Sequence, residues 1–235
     1  MTGRTPSGGG PSGGRRRAAE RLRTARRHKP SSQRWLARQL NDPYVAEAKR
    51  QGWRSRAAFK LIELDQRFHL LKPGQKIVDL GAAPGGWTQV AAQRSKAGEG
   101  RGRVVALDVS PMDPVPGARL ITLDFLAAAA PERIKAELAG PADVVLSDMA
   151  QPTTGHEPTD HLRIIALAEA ALAFALEVLA PGGSFVCKLF QGGAERAMLV
   201  TLKRHFARVR HAKPPASRKE SAETYLVAQG FRSKP

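Results

Sequence analysis

The chain has 235 residues, which is enough for one domain of ordinary size and a tail. It carries 38 Lys and Arg residues against 21 Asp and Glu residues, and this net charge of +17 favours a polyanionic partner, most simply nucleic acid. A single cysteine excludes a disulfide framework and a cysteine-based metal site, and charges interrupt the longest apolar stretch, which argues against a membrane span. We therefore expect a cytoplasmic protein with no membrane contact and no metal.

The first thirty residues differ in composition from the rest of the chain. Residues 1–30 are rich in Gly, Ser and Arg and contain nine basic residues against one acidic residue. Because they offer too little apolar surface to form a core, we predict a disordered basic arm over 1–30 and a folded domain over 31–235. The arm has no base-reading chemistry, so we expect it to contact the phosphates of a nucleic acid electrostatically.

Helical and strand patterns alternate from residue 55 onward. Ser55 is a candidate N-cap for a helix with apolar residues at helical spacing, and Lys72-Pro73-Gly74 ends that pattern. Apolar strand runs then alternate with helices, which predicts a doubly wound parallel α/β sheet covered on both faces. Strands are predicted at 76–80, 103–109, 119–125, 143–148, 183–190, 208–213 and 223–229. Helices are predicted at 86–96, 131–139, 160–179 and 192–206.

The last two predicted strands are joined by a short segment rich in Pro, Ser and Arg. A link of that length allows a hairpin but no crossover helix. We therefore predict a seven-stranded, mostly parallel sheet whose last strand is antiparallel.

A Gly-rich turn, Gly81-Ala82-Ala83-Pro84-Gly85-Gly86, follows the first predicted strand. Glycines there permit a tight turn and a close approach of backbone amides to a ligand. The spacing is not the dinucleotide pattern G-x-G-x-x-G, and Pro84 removes a backbone donor that a pyrophosphate would use. The turn therefore favours a cofactor without phosphates, such as S-adenosylmethionine, over NAD.

Charged residues end several of the predicted strands, at the edge where this type of sheet binds ligands. They are Asp79, Asp108, Asp124, Asp148 and Lys188. Each aspartate alone could equally be a helix N-cap, but together on one rim they predict a binding edge. Asp108 lies 22 residues beyond Gly86, close to the spacing at which an acid meets the ribose of a nucleotide cofactor.

Five segments, in a fixed order along the chain, point to a known family. They are Arg-Ser-Arg-Ala-Ala-Phe-Lys-Leu at 54–61, Asp-Leu-Gly-Ala-Ala-Pro-Gly-Gly-Trp at 79–87, Ser-Asp-Met-Ala at 147–150, Ala-Pro-Gly-Gly-Ser-Phe-Val-Cys-Lys at 180–188, and Ser-Arg followed by Glu-Thr-Tyr-Leu-Val-Ala within 217–228. Together they resemble the RrmJ/FtsJ (RlmE) family of ribosomal RNA 2′-O-methyltransferases. The resemblance runs from about residue 31 to the C-terminus and leaves out the arm.

The resemblance implies a Rossmann-like methyltransferase sheet and a set of functional residues. The implied catalytic tetrad is Lys60, Asp148, Lys188 and Glu223. The implied contacts to S-adenosylmethionine come from Gly85, Trp87, Asp108, Asp124 and Asp148. One departure is visible after Asp148, where bacterial members usually continue Met-Ala-Pro-Asn and this chain has Met149-Ala150-Gln151-Pro152.

The tetrad suits the chemistry that the resemblance implies. A ribose 2′-hydroxyl is a poor nucleophile and must lose its proton as it attacks, and a neutral lysine can accept that proton. We assign Lys188 as the proton acceptor because a strand aims its side chain more rigidly than the helix that carries Lys60. Considered alone, Lys60 could be an ordinary surface lysine, and Glu223 could simply pair with Arg218.

The expected substrate follows from the same resemblance. It is a uridine ribose in the A-loop of 23S ribosomal RNA, modified by a monomeric enzyme that binds the large ribosomal subunit. The basic cluster with an aromatic residue, Arg34, Trp35, Arg54 and Arg56, is suited to phosphate contact and base stacking, although a solvated face would explain it too. Two alternatives stay open: a 2′-O-methyltransferase of the tRNA anticodon loop, and a non-catalytic RNA-binding factor in ribosome assembly.

Overall fold

A computed structural model describes residues 41–151, 154–190 and 196–232. Apart from the start of the first helix, every element discussed below belongs to one compact unit, Glu47–Pro235. The predicted arm over 1–30 and the predicted RNA contacts Arg34 and Trp35 lie outside the described residues.

Helices and strands alternate along the described part of the chain. The helices are α1 (Pro43–Gln51), α2 (Ala57–Phe68), α3 (Gly86–Ser95), α4 (Ala130–Leu138), α5 (Glu157–Val178) and α6 (Arg196–His205). The strands are β1 (Lys76–Leu80), β2 (Arg103–Asp108), β3 (Ala118–Thr122), β4 (Ala142–Ser147), β5 (Leu179–Phe190), β6 (Phe206–Ala212) and β7 (Glu223–Phe231). A 3-10 turn, Ala97–Glu99, follows α3. None of these helices is long and apolar enough to cross a membrane.

The seven strands form one sheet in the order β3-β2-β1-β4-β5-β7-β6. Neighbours from β3 to β5 pair in parallel, whereas β7 runs antiparallel to both β5 and β6. The predicted doubly wound sheet with an antiparallel last strand is therefore confirmed. The strand order reverses at β1, which lies between β2 and β4, and the carboxyl ends of the strands at such a reversal form the usual ligand crevice.

Helices cover both faces of the sheet, which explains why the strands are nearly continuous apolar runs. Within β1, Ile77 faces the layer of α2 and α3, and Val78 faces the layer of α4, α5 and α6. Both side chains are fully buried. Since every β1 side chain beyond Lys76 is buried, the sheet is rigid where the chain emerges into the Gly-rich turn.

Two predicted strand ends were wrong by more than two residues, each for a local reason. β3 ends at Thr122 instead of 125, because Asp124 Oδ1 accepts the Leu126 N–H (2.9 Å) and turns the chain out of the sheet. β5 begins at Leu179, four residues before the predicted start, and a register shift opposite Ala142 accommodates the Pro-Gly-Gly sequence. The other strand ends agree with the prediction to within two residues.

The helices near the start of the domain also differ from the sequence prediction. α1 was not predicted, although Asp42 Oδ1 accepts the Tyr44 N–H (3.0 Å) and Pro43 occupies the first helical position, which together are a helix-start signal. Ser55 does not cap α2: the helix begins after Arg56, which has helical backbone angles, and Ser55 Oγ has no hydrogen-bond partner among the described residues.

Candidate active site

A cavity of about 400 Å³ opens at the carboxyl ends of β1, β2 and β4, where the sequence predicted a binding edge. Its polar lining contains four of the five charged residues predicted at strand ends: Asp108, Asp124, Asp148 and Lys188. The fifth, Asp79, is fully buried beneath the Gly-rich turn. A cavity of this size matches those that bind small organic cofactors.

The Gly-rich turn forms one wall of this cavity through Gly81 and Ala83. Gly81 has a φ of 77°, and a Cβ on it would lie 2.7 Å from the Cα of Met149. Only glycine allows the turn to pass so close to the chain that follows β4. The Gly81 N–H donates to Leu107 O (2.9 Å), which ties the turn to the end of β2.

Asp108 and Asp124 shape the loops that surround the cavity. The Asp108 carboxylate accepts the N–H of Ala83 (3.0 Å) and the N–H of Ser110 (2.7 Å), so it joins the Gly-rich turn to the loop after β2. Asp124 holds the turn after β3, as described above. Both carboxylates therefore have their own structural roles and still present oxygens to the cavity as hydrogen-bond acceptors.

Gly85 and Trp87 lie outside the lining of this cavity. Trp87 is a core residue: its indole N–H donates to Ala57 O (2.8 Å), and its ring lies 5.6 Å from the ring of Tyr225. Gly85 has a φ of 105° and precedes α3, with the Arg54 side chain against it. Contacts from these two residues to a cofactor stay predictions.

Arg54 and Arg56, predicted to contact RNA, are engaged by backbone carbonyls. Arg54 donates to the carbonyl oxygens of Asp113 and Pro114, each at 2.6 Å, and more weakly to that of Pro84 at 3.4 Å. Arg56 Nη2 donates to Ala216 O (2.5 Å). These bonds hold together the loops around the site, and a role in RNA binding stays a prediction.

The structure brings the four predicted tetrad residues together as two ion pairs. Lys60 Nζ lies 2.7 Å from Glu223 Oε1, and Lys188 Nζ lies 3.0 Å from Asp148 Oδ1. The four side chains are only 9–16% exposed, so Lys60 is not an ordinary surface lysine. Glu223 also accepts a hydrogen bond from Ser217 Oγ (2.8 Å).

Tyr225 connects the two ion pairs, and the sequence interpretation missed it. Its hydroxyl donates to Asp148 Oδ1 (2.9 Å), and Lys60 Nζ lies 5.8 Å from its ring centroid. Burial, with the negative charges of Asp148 and Glu223, raises the pKa of Tyr225 well above its usual value, so the hydroxyl stays a neutral donor. Tyr225 follows Glu223 by two residues on β7, and side chains at that spacing lie on the same face of a strand. The sequence could therefore have placed Tyr225 beside Glu223.

The charges around Asp148 decide its ionisation. Burial alone would raise the pKa of its carboxyl group, but the positive charges of Lys188 and Lys60 outweigh burial and hold that pKa below the usual value. Asp148 is therefore an anion at neutral pH. It fixes Lys188 from two sides, because Lys188 Nζ also donates to the Asp148 backbone oxygen at 2.6 Å.

Asp79 is ionised less readily than an ordinary aspartate. Burial raises the pKa of Asp79 to about 7, although Thr88 Oγ1 donates to its Oδ2 at 2.6 Å and opposes that rise. The other carboxylate oxygen has no hydrogen-bond partner among the described residues. Asp79 therefore supports the Gly-rich turn from below and does not reach the cavity. No cluster of three His, Cys, Asp or Glu residues suited to a metal occurs in the described ranges.

Several known proteins are similar to this chain in sequence and fold. The ribosomal RNA large subunit methyltransferase E of Paramagnetospirillum magneticum is 64% identical over 98% of this chain and 95% of its own length. The protein of the same name from Acidiphilium cryptum is 64% identical over 94% of this chain and 96% of its own length. A crystal structure of a ribosomal RNA methyltransferase from Plasmodium falciparum is 31% identical, covers 76% of this chain and 98% of that one, and superposes with a TM-score of 0.68. Residues 53–231 match the FtsJ-like methyltransferase family, and the chain belongs to that family.

Proposed function

We propose that this protein transfers a methyl group from S-adenosylmethionine to a ribose 2′-hydroxyl of large-subunit ribosomal RNA. The observation that carries the proposal is the position of Lys188 and Asp148, which form a buried ion pair and both line the cavity. A base and its partner therefore stand beside the space where a cofactor would bind. The names of the relatives support ribosomal RNA of the large subunit as the substrate.

The lining of the cavity fits S-adenosylmethionine better than a phosphate-bearing cofactor. Three carboxylates and one lysine line it, so a pyrophosphate would meet repulsion, whereas ribose hydroxyls and amines would find acceptors. Asp108 and Asp124 would hold the nucleoside part, and Asp148 would face the positively charged part. The cofactor supplies a methyl group activated by a sulfonium charge.

The residues of the tetrad have separate tasks in this proposal. After Lys188 has released its own proton to solvent, its lone pair accepts the 2′-hydroxyl proton, while its two remaining N–H groups keep the bonds to Asp148. Anionic Asp148 then stabilises the ammonium that forms. The pair Lys60 and Glu223 lies across Tyr225 from this base, with Lys60 as the second positive charge at the site. We propose that this pair has a positioning task, because it lies against Tyr225, which in turn holds Asp148.

A non-catalytic RNA-binding factor is a weaker explanation of the same geometry. Burying two lysines and two carboxylates costs desolvation free energy that their mutual attraction only partly offsets. A binding protein would gain more from lysines on its surface, where they reach phosphates directly. The buried tetrad beside a cofactor-sized cavity therefore favours the enzyme.

The finer assignments are part of the proposal. We propose a uridine in the A-loop of 23S ribosomal RNA as the target and cytoplasmic action on the large subunit by a monomer. We also propose a basic arm over 1–30 ahead of a methyltransferase domain over 31–235. The test is methyl transfer from labelled S-adenosylmethionine to three purified RNAs: large-subunit, small-subunit and transfer RNA. Label confined to large-subunit RNA supports the proposal, and label confined to transfer RNA would move the target to the anticodon-loop alternative.

A further inference from the structure

The outer edge of the sheet carries an unusual run of positive charge. Residues 196–213, which comprise α6, β6 and the residue that follows them, contain six Lys and Arg residues and no acidic residue. Five of these basic side chains are exposed, and four of the five follow one another closely: Lys203, Arg204, Arg208 and Arg210. A surface that needed charge only for solubility would mix both signs. The single sign indicates a polyanionic partner.

The register of the sheet places two of these arginines on the face that carries the tetrad. Arg208 lies opposite Gln229 and Arg210 lies opposite Val227 on β7. Directly opposed residues of antiparallel strands project to the same face. That face is shared by Tyr225 and Lys188, because Tyr225 is opposite Lys188 on β5 and two residues from Val227. We name Arg208 and Arg210 the edge arginines.

The edge arginines are available to a partner. Both are exposed, and neither forms an ion pair with any residue that the structure describes. Arg210 makes one local hydrogen bond, to Val209 O at 3.2 Å. β6 is an edge strand, so nothing in the described sheet pairs with its outer side.

The distance to the candidate active site suits one continuous RNA strand. Ala212, Tyr225 and Lys188 lie in one row across β6, β7 and β5. With a rise of about 3.3 Å per residue and a strand spacing of about 4.8 Å, the Cα atoms of Arg210 and Lys188 are roughly 12 Å apart. A backbone of two or three nucleotides covers that span. Arg208 lies two residues further along the same edge.

We propose that the edge arginines bind the phosphate backbone of the RNA substrate a few nucleotides from the target ribose. This inference rests on the proposed function, because it takes RNA as the substrate. The two guanidinium groups offer forked donors that match phosphate oxygens. The exposed ring on β6, that of His211, lies opposite Leu226 and therefore on the other face of the sheet. The edge arginines therefore position the RNA and do not read its bases.

The test compares two double variants with the same change in net charge. Arg208→Gln with Arg210→Gln removes the edge arginines, and Arg101→Gln with Arg133→Gln removes two exposed arginines, one ahead of β2 and one on α4. Affinity for a large-subunit ribosomal RNA fragment is measured by fluorescence anisotropy across a salt series. We expect the edge variant to bind roughly tenfold more weakly and its log–log salt slope to fall by about 1 to 2. The control should match the wild type.

Two further readouts complete the test. Affinity for S-adenosylmethionine, measured by calorimetry, should be unchanged in both variants, and Arg208→Lys with Arg210→Lys should restore most of the RNA affinity. An edge variant with wild-type affinity and slope would overturn the inference. If that variant also self-associated in sedimentation, the arginines would instead protect the open strand from pairing. If the wild-type protein itself had no affinity for RNA, the proposed function would be overturned as well. Failure of the inference about the edge arginines can therefore be told apart from failure of the proposed function.

Discussion

Lys188 Nζ lies 3.0 Å from a carboxylate oxygen of Asp148 and 2.6 Å from its backbone oxygen, so one aspartate holds the lysine from two sides. Asp148 follows β4 directly, and Lys188 lies near the end of β5, the next strand of the sheet. Neighbouring strands of a rigid parallel sheet therefore deliver the base and its partner to the same point. The account of catalysis depends on this pair.

The first prediction separates the charge of Lys188 from its ability to accept a proton. Lys188→Arg keeps a positive charge beside Asp148, but a guanidinium cannot act as a base. We expect the single-turnover rate to fall by about 100-fold to 10,000-fold, with S-adenosylmethionine affinity within a few fold of wild type. Rates come from rapid quench experiments and affinity from calorimetry. A variant that kept most of its activity would make the role of Lys188 purely electrostatic.

Lys188→Ala has a second effect that the arginine variant avoids. It leaves the buried Asp148 carboxylate without its partner, and breaking such a pair costs about 3–5 kcal/mol of folding stability.

The matched control for cofactor binding is Asp108→Ala, which should weaken S-adenosylmethionine affinity because Asp108 lines the cavity. Equal affinity in wild type and Asp108→Ala would place the cofactor elsewhere.

The second prediction concerns Tyr225. Tyr225→Phe keeps the ring against Trp87 but removes the hydroxyl that donates to Asp148. A hydrogen bond to a charged group contributes about 1.5–3 kcal/mol, so we expect a measurable loss of stability in chemical denaturation. We also expect kcat to fall more than KM rises, because the substrate need not contact Tyr225. A change confined to stability would limit Tyr225 to a structural role.

The third prediction is a pH dependence of stability that comes from Asp79. Its pKa is about 7 in the folded protein against 3.8 for an ordinary aspartate. Below about pH 4 Asp79 is protonated in both the folded and the unfolded protein. Between about pH 4 and 7 it is protonated only in the folded protein. Stability should therefore fall as the pH rises through this window, by on the order of 4 kcal/mol, and level off above it.

Asp79→Asn tests that assignment. Asparagine does not titrate and can still accept the Thr88 hydroxyl hydrogen bond, so its profile across the same window should be flatter. The free energy of unfolding is measured by urea denaturation at several pH values for both proteins. Identical profiles would mean that other groups dominate the pH dependence.

The fourth prediction concerns the arm over 1–30. Removing it takes away nine basic residues and one acidic residue, so RNA affinity should weaken and its salt dependence should become flatter. The modified nucleotide and the rate at saturating RNA should stay the same, because the folded domain chooses the target. Identical salt slopes for full-length and truncated protein would show that the arm does not contact phosphates.

The architecture was predictable because a sheet covered on both faces leaves a strong local signal. β1 was predicted at its observed bounds, and Asp108, Asp124 and Asp148 were placed on one rim because parallel strands end at the same edge. These inferences need only the chain's own periodicity and the topology that follows from it.

Partners brought together from distant parts of the chain were harder to predict. For Arg54 only a contact with RNA was predicted, which stays a prediction, and its bonds to the carbonyl oxygens of Asp113 and Pro114, about sixty residues away, were not foreseen. Tyr225 was overlooked because its importance comes from the Asp148 carboxylate, which it meets only in the folded sheet. A basic or aromatic side chain has the same local pattern whether it faces solvent or closes a loop.

The most direct test of the central claim is the chemical identity of the methylated nucleoside. Large-subunit ribosomal RNA is treated with the protein and labelled S-adenosylmethionine, digested to nucleosides and analysed by mass spectrometry. The account predicts that the label appears in a 2′-O-methylated nucleoside, a methyluridine if the finer proposal holds, and that it disappears with Lys188→Arg. Label on a nucleobase, or equal labelling by Lys188→Arg, would contradict the account.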